Sequence, residues 1–300
     1  MKFTNIYNIP RSMEDVIMRH TYDITESDPK RVGVTTLINP PRVRLLSVKH
    51  WEEIEEDVSD HLWKILGNAC HYVLGKADSN TRIIEEKMTE EVDGITVVSK
   101  PDIYDTALHS LEDYKITSIW SAKLGDRDSW DNQLNCYAWF LRKRDYKVDN
   151  LYINAILKDW RRGEKLKYND YPPIPFIRIK CNLWTFEEQE AYIKERVAVY
   201  KKCLELSEDL IPICSEKERW KKEDKFAVKK NSNKKAERVL DTAQEAESWI
   251  KERQKKDTKN KYSIEYREGA DFKCTDYCSV NKFCSYYKEK YGDKNESKKS

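Results

Sequence analysis

No stretch of the 300-residue chain approaches the ~20 consecutive apolar residues needed to span a bilayer, and its start, MKFTNIYNIPRS, lacks the apolar core of a secretory signal. A cytoplasmic protein is therefore expected. Net charge is nearly absent too, because 55 Lys and Arg oppose 53 Asp and Glu. Bulk basicity is thus excluded as a means of holding nucleic acid; such a surface would need local segregation of charge. The sequence shows no internal repeat, and no cysteine precedes Cys70.

What remains is a chain that is 36% charged, 39% hydrophobic and 11% aromatic, the composition of a folded protein rather than a disordered one. Its length allows one large domain, or a core with a small appendage. The eight cysteines, in a reducing compartment, suit metal ligation or burial better than disulfides. Cys70, Cys136, Cys181 and Cys203 are scattered among apolar residues and read as core, whereas Cys274, Cys278 and Cys284 crowd into CTDYCSVNKFC.

The first 30 or so residues show no sustained periodicity. TTLINPPRVRLL (35–46) is broken by Pro40-Pro41 and predicts a short helix, a turn and a second helix. Trp51, Ile54, Val58, Leu62, Ile65, Ala69 and Val73 are spaced by threes and fours and predict one long amphipathic helix. Gly67 interrupts its other face, with His71 one turn later. Between 80 and 120, a Val92-Asp93-Gly94 turn among β-branched runs and the run SLEDYKITSI predict two or three antiparallel strands. Helical spacing returns through Trp130, Leu134, Tyr137, Ala138 and Leu141. Two strands follow (NLYINAIL and PFIRIKCNL), then a helix capped at Thr185 that runs to about Ser207. After Pro212 come a Lys-rich stretch, the short helix TAQEAESWIKERQKK, the cysteine cluster, and a polar tail after Tyr291 expected to be disordered. The expected division is an N-terminal segment (1–45), a core (46–210), a cysteine-bearing region (211–290) and a tail (291–300).

Chemistry concentrates where Pro101-Asp102 is followed, after ten intervening residues, by Asp113-Tyr114-Lys115. Side chains alternate along a strand, so Asp113 and Lys115 share a face while Glu112 and Tyr114 point the other way. A hairpin bringing Asp102 beside Asp113 would set two carboxylates within reach of one cation, and hard oxygen ligands suit Mg²⁺ or Mn²⁺. Lys115 beside them suits orienting an attacking water or offsetting charge on a phosphate.

These residues resemble the core motif of the PD-(D/E)XK nuclease superfamily. Gln133 and Tyr137 resemble the Q-x-x-x-Y signature of its RecB-type members, and Gly67, His71 and Leu74 resemble their upstream G-x-x-x-H-x-x-L helix. The three clustered cysteines resemble the iron–sulfur staple of AddB and of the CRISPR-adaptation nucleases. Together with TTLINPPRVRLL, the set looks most like phage-encoded members of that group, and its motifs run from residue 35 to 284.

The resemblance implies a restriction-endonuclease-like α/β core, with a central mixed sheet of about four or five strands flanked by helices and a cysteine-stapled C-terminal region. It implies a DNA exonuclease of phage recombination or repair, acting in a bacterial host's cytoplasm on single strands or duplex ends, with a phage recombination protein as a further partner and no membrane. His71, Asp102, Asp113 and the Tyr114 carbonyl would hold Mg²⁺ or Mn²⁺, Lys115 would serve the attacking water, and Glu86, or its neighbour Glu85, would supply an acid from the preceding strand. Gln133 and Tyr137 would hold the DNA backbone or brace the site. The alternative is a non-catalytic DNA-binding or recombination-partner protein that keeps the fold and the cluster.

The same resemblance implies a 4Fe-4S cluster, for which structural Zn²⁺ is the alternative on the same thiolates. The chain departs from its relatives here. They commonly space the first two clustered cysteines by two residues rather than three, and they supply the remaining cysteine from near the N-terminus. Cys214, in a loop-like setting after Ile211-Pro212-Ile213, is the candidate fourth ligand beside Cys274, Cys278 and Cys284. The Lys-rich stretch from Lys217 to Lys235 interleaves Trp220 and Phe226, a mix that suits stacking bases and neutralising phosphates. Trp220, Lys221 and Lys222 are its candidate DNA contacts, with Arg42 and Arg44 as a second surface.

Overall fold

The computed structural model describes residues 1–19, 28–77, 80–125 and 127–296, with side chains to 292. The chain forms two compact units, Met1–Pro212 and Ile213–Ser300. It is mixed α/β, and among the described residues no helix is long and apolar enough to cross a membrane.

The first unit opens with β1 (Lys2–Thr4) and α1 (Arg11–Arg19), a helix that periodicity did not reveal. After β2 (Arg31–Gly33), the two prolines separate α2 (Val34–Leu37) from α3 (Pro41–Lys49) as expected. Pro41 stands in the first turn of α3, where its missing N–H costs no intrahelical bond.

The long helix expected from Trp51 does not form. Trp51–Glu53 is a 3₁₀ turn, Glu55–Asp57 is strand β3 paired in parallel with β1, and Val58–His61 is a second 3₁₀ turn leading into α4 (Leu62–Leu74). Asp57 is the cause. Its carboxylate accepts from the Ser59 N–H at 3.0 Å and from the Thr4 hydroxyl at 2.9 Å, while Asp60 accepts from the Asp57 N–H at 3.3 Å. That reciprocal cap starts a helix at Val58 and forbids one that passes through. Trp51, Ile54 and Val58 are still buried, whereas the α4 part of the same spacing is not: Leu62 and Ile65 are half-buried, and Ala69 and Val73 are exposed.

Five strands follow where two or three were expected: β4 (Arg82–Ile84), β5 (Met88–Val92), β6 (Ile95–Ser99), β7 (Ile103–Asp105) and β8 (Ser110–Thr117). The β5–β6 turn holds Asp93 at φ 48° and Gly94 at φ 81°, the paired left-handed residues a tight hairpin requires. These two strands join β2 in a separate three-stranded sheet, because β6 pairs in parallel with the distant β2. Then come α5 (Ile119–Leu124), α6 (Arg127–Arg142), β9 (Asn150–Leu157), α7 (Arg162–Lys165), β10 (Phe176–Cys181) and α8 (Phe186–Leu204), the last opened by the Thr185–Glu188 capping box.

The central sheet has five strands in the order β10-β9-β8-β7-β4, antiparallel except for β8 and β9. Leu111, Leu151, Ile153 and Ala155 of its middle strands pack into one core with Leu134, Ala138 and Phe140 of α6 and Ile193 and Val197 of α8. Burying each large aliphatic side chain contributes about 1.5–3 kcal/mol. This core fixes the strands that carry the acids.

The second unit contains β11 (Lys225–Lys230), β12 (Arg238–Leu240), α9 (Ala243–Lys256), β13 (Tyr262–Arg267), α10 (Phe272–Asp276) and α11 (Ser285–Glu296). Thr242 and Glu245 cap α9, and β11 lies between β12 and β13 in an antiparallel sheet. The expected tail is helical past Tyr291 as far as Glu296, and the remainder lies outside the described residues. Asp271 organises this unit. It is fully buried and accepts from Tyr286 OH at 2.7 Å, Lys290 Nζ at 2.9 Å, Tyr291 OH at 3.0 Å and Arg219 Nε at 3.2 Å. Burial alone would raise its pKa, but these four donors hold it down at about 2.

Candidate active site

The β7–β8 hairpin pairs Ile103 with Glu112, Tyr104 with Leu111 and Asp105 with Ser110. Continued one step, that register sets Asp102 opposite Asp113. The side chain of Asp102 reaches across, and its Oδ2 accepts from the Tyr114 backbone N–H at 2.8 Å. Alternation along β8 turns Asp113 inward, where it is 1% exposed, and Lys115 Nζ stands 2.8 Å from its Oδ2.

Glu112 belongs to the opposite face of the sheet. It accepts from Asn154 Nδ2 at 2.6 Å, from Ser110 Oγ at 2.9 Å and from Tyr114 OH at 3.3 Å, and it pairs with Arg178. The Tyr114 ring therefore points away from Asp113, while its N–H serves Asp102.

On the inner face, α6 delivers Gln133 to Asp113. Gln133 Nε2 donates to Asp113 Oδ1 at 3.2 Å and to Tyr137 OH at 3.1 Å, and both α6 side chains are buried. One helical turn between them makes the bridge possible.

Helix α4 brings His71 to the same place. Its Nδ1 lies 3.5 Å from Asp102 Oδ1 and 3.7 Å from Glu85 Oε1, and Lys100 Nζ lies 2.6 Å from Glu85 Oε2. Of the two neighbouring acids, Glu85 faces His71, whereas Glu86 is exposed and makes no recorded contact with the site. Glu85 follows β4 with φ at 49°, and its N–H donates to the Asp102 carbonyl at 3.0 Å. The left-handed turn breaks strand alternation at the point where alternation would have chosen between them. Lys100 carried no signal in the sequence beyond standing before Pro101-Asp102.

Burial pushes the Asp113 pKa up to about 6; the Asp102 charge adds to the rise and Lys115 opposes it. Asp102 is also raised, first by burial, against the pull of the Tyr114 N–H, His71 and Lys115. Two acids side by side in a poorly solvated place are unfavourable without a cation between them. Asp113 Oδ2 is buried, with Lys115 Nζ 2.8 Å away as its ion-pair partner. Asp113, Asp102, His71 and Glu85 thus lie around one place, with Lys115 and Lys100 as the cations beside them.

The donors are not drawn tight. Neighbouring ligands of an octahedral Mg²⁺ lie about 3 Å apart, and the His71 separations of 3.5 and 3.7 Å exceed that. Accordingly, among the described residues no three His, Cys, Asp or Glu groups converge closely enough to hold a metal ion as they stand.

The second unit holds the four expected cysteines, each half-buried. The Cys214 thiol is pushed up to about 11 by burial, then by Glu218, Cys278 and Cys284. Cys274 rises to about 12 by burial, then through Cys278, Asp271, Cys214 and Cys284. Asn281 ties the loop together: its Nδ2 donates to the Cys274 carbonyl at 2.9 Å, and its carbonyl accepts from the Cys284 N–H at 3.1 Å. The thiols influence one another without closing into a single-ion cage. Cys136, Cys181 and Cys203 are buried, as expected of core residues, whereas Cys70 is half-buried on α4.

The expected DNA contacts divide. Trp220 is 48% exposed, with its ring edge-to-face on Tyr277 at 5.3 Å, and Lys222 is exposed over the Phe272 ring. Lys221 is paired with Glu216 at 2.7 Å and with Glu223 at 3.0 Å. Arg42 does not form a surface: it is 1% exposed and donates to the Ile211 carbonyl, so its charge serves the core of the first unit.

No family model matches the chain, and no curated protein matches it. Among solved structures it is similar to SSO0001, with a TM-score of 0.47 at 16% identity over 67% of this chain and 90% of that one. It is also similar to a phage-related exonuclease from Haemophilus somnus 129PT, with a TM-score of 0.36 at 16% identity over 57% of this chain and 92% of that one. In both cases the likeness is partial.

Proposed function

We propose that the protein is a metal-dependent deoxyribonuclease of the PD-(D/E)XK type, an exonuclease that hydrolyses phosphodiester bonds in phage recombination, repair or DNA processing. The observation that carries this reading is the meeting of Asp102, Asp113, Lys115 and His71 at one end of the β7–β8 hairpin, braced by Gln133 and Tyr137. A surface strand face would leave these groups solvated and apart. Here a buried Asp113 lies beside a half-buried Asp102, both with raised pKa values, an arrangement that costs stability and is kept where chemistry needs it.

Asp102, Asp113, His71 and Glu85 would hold Mg²⁺ or Mn²⁺, which when bound supplies Lewis-acid stabilisation of charge on a phosphate. Lys115 stands where it can orient an attacking water and take up negative charge on the phosphate oxygens. Gln133 holds the rotamer of Asp113, and the Tyr114 N–H that of Asp102. The four cysteines of the second unit would hold a 4Fe-4S cluster with a structural role, and Zn²⁺ is the alternative occupant. Trp220 and Lys222 would meet DNA, and the working compartment would be a bacterial host's cytoplasm.

Incubating linear and covalently closed circular DNA with Mn²⁺ tests the reading. Degradation of the linear form alone is expected of an exonuclease. Cutting of the closed circle would replace exonuclease with endonuclease, and no degradation of either form in Mn²⁺ or Mg²⁺ would favour the non-catalytic alternative.

A further inference from the structure

Helix α4 has an unusual surface. None of its described side chains is fully buried, and Trp63, Leu66, Tyr72 and Val73 are all exposed. Between it and α1 lies a hollow of about 220 Å³. Val16 and Ile17 wall it from α1, and Ile65 walls it from α4; Lys64, Asn68 and His71 supply its polar groups. The hollow thus ends at the same imidazole that stands 3.5 Å from Asp102.

Gly67 lines the hollow, and a Cβ built there meets nothing within 4 Å. Mid-helix glycine is normally a cost relative to alanine, and no close approach of backbone requires it at this position. Among the described residues, no neighbour fills this space, which leaves it open for a ligand.

We propose that this hollow receives the base of the nucleotide next to the phosphate at the candidate active site, so that DNA is engaged as a single strand or frayed end. The inference rests on the nuclease reading and deepens it. Aliphatic walls accept either face of a flat heterocycle, the Asn68 amide can pair with a base edge, and the Lys64 ammonium suits the adjoining phosphate. A base stacked within a duplex cannot enter a recess of this kind without leaving its partner.

Binding tests the inference independently of catalysis. Fluorescence anisotropy would compare a labelled single-stranded oligonucleotide with its abasic counterpart, with Ca²⁺ as the cation. Wild type is expected to bind the intact strand about 5-fold more tightly, because the base leaves water for apolar walls. Gly67→Leu, which fills the hollow, should bring that ratio close to one. Gly67→Ala should give an intermediate ratio and melt no lower than wild type, which separates occlusion from misfolding. Equal binding of both strands by wild type, or a wild-type ratio in Gly67→Leu, overturns the proposal. Cleavage of DNA without base discrimination removes the hollow alone, while base discrimination without cleavage removes the nuclease reading alone.

Discussion

The backbone N–H of Tyr114 donates to Asp102 Oδ2 over 2.8 Å, so an acid outside β8 is fixed by that strand's own backbone. The bond needs an oxygen but not a charge. Asp102→Asn is therefore expected to keep the hairpin, with a melting free energy within about 1 kcal/mol of wild type. It should lower Mn²⁺-dependent DNA cleavage by about 100-fold or more, since a ligand charge is lost. Thermal denaturation and a digestion time course read the two effects separately.

Asp113 gives a pH-dependent prediction. Its folded pKa lies above the ordinary carboxylate value, so the native state holds the proton more tightly than the unfolded chain. The stability penalty is absent in strong acid, grows as pH rises toward about 6, and is complete above that. In EDTA at pH 8, Asp113→Asn should therefore be more stable than wild type by about 1–3 kcal/mol, and the gain should vanish near pH 4. Urea denaturation at the two pH values checks the sign.

If Gln133 and Tyr137 brace rather than bind, Tyr137→Phe should cost about 1 kcal/mol of stability through the lost acceptor for Gln133. It should lower the cleavage rate while leaving the Kd for DNA within about 2-fold of wild type, a change of under 0.5 kcal/mol. A large rise in Kd would return this pair to the DNA surface.

Asp271 behaves in the opposite sense to Asp113. Its pKa is held at about 2, so its contribution is present above the ordinary carboxylate range and lost as pH falls toward 2. Asp271→Asn should destabilise residues 213–300 by about 3–5 kcal/mol, because Arg219 and Lys290 lose a buried partner. Hydrogen exchange confined to that unit is the readout. In anaerobically purified protein, absorbance near ~400 nm with iron and sulfide content would support the iron–sulfur assignment, and Cys214→Ser should diminish it as strongly as Cys274→Ser.

Much of the site was legible because it depends on short-range rules. The register of one hairpin set Asp102 beside Asp113, strand alternation placed Lys115 with it, and a single helical turn joined Gln133 to Tyr137. The illegible parts have local causes. Strand alternation could not choose between Glu85 and Glu86, because the backbone turns left-handed at Glu85. Periodicity ran through Asp57, whose side chain caps a new helix there. Arg42 looked like a surface cation because its partner, the Ile211 carbonyl, lies 169 residues away in sequence. The separate sheet of β2, β5 and β6 was hidden for the same reason, since a parallel pairing leaves no turn signature.

The most direct test of the central claim is digestion of 5′- and 3′-labelled linear DNA in Mn²⁺ by wild type, Asp113→Ala and Lys115→Ala. Degradation by wild type that disappears in both variants, with EDTA abolishing it, is the predicted result. Equal digestion by all three proteins would contradict the assignment of Asp113 and Lys115 to the reaction.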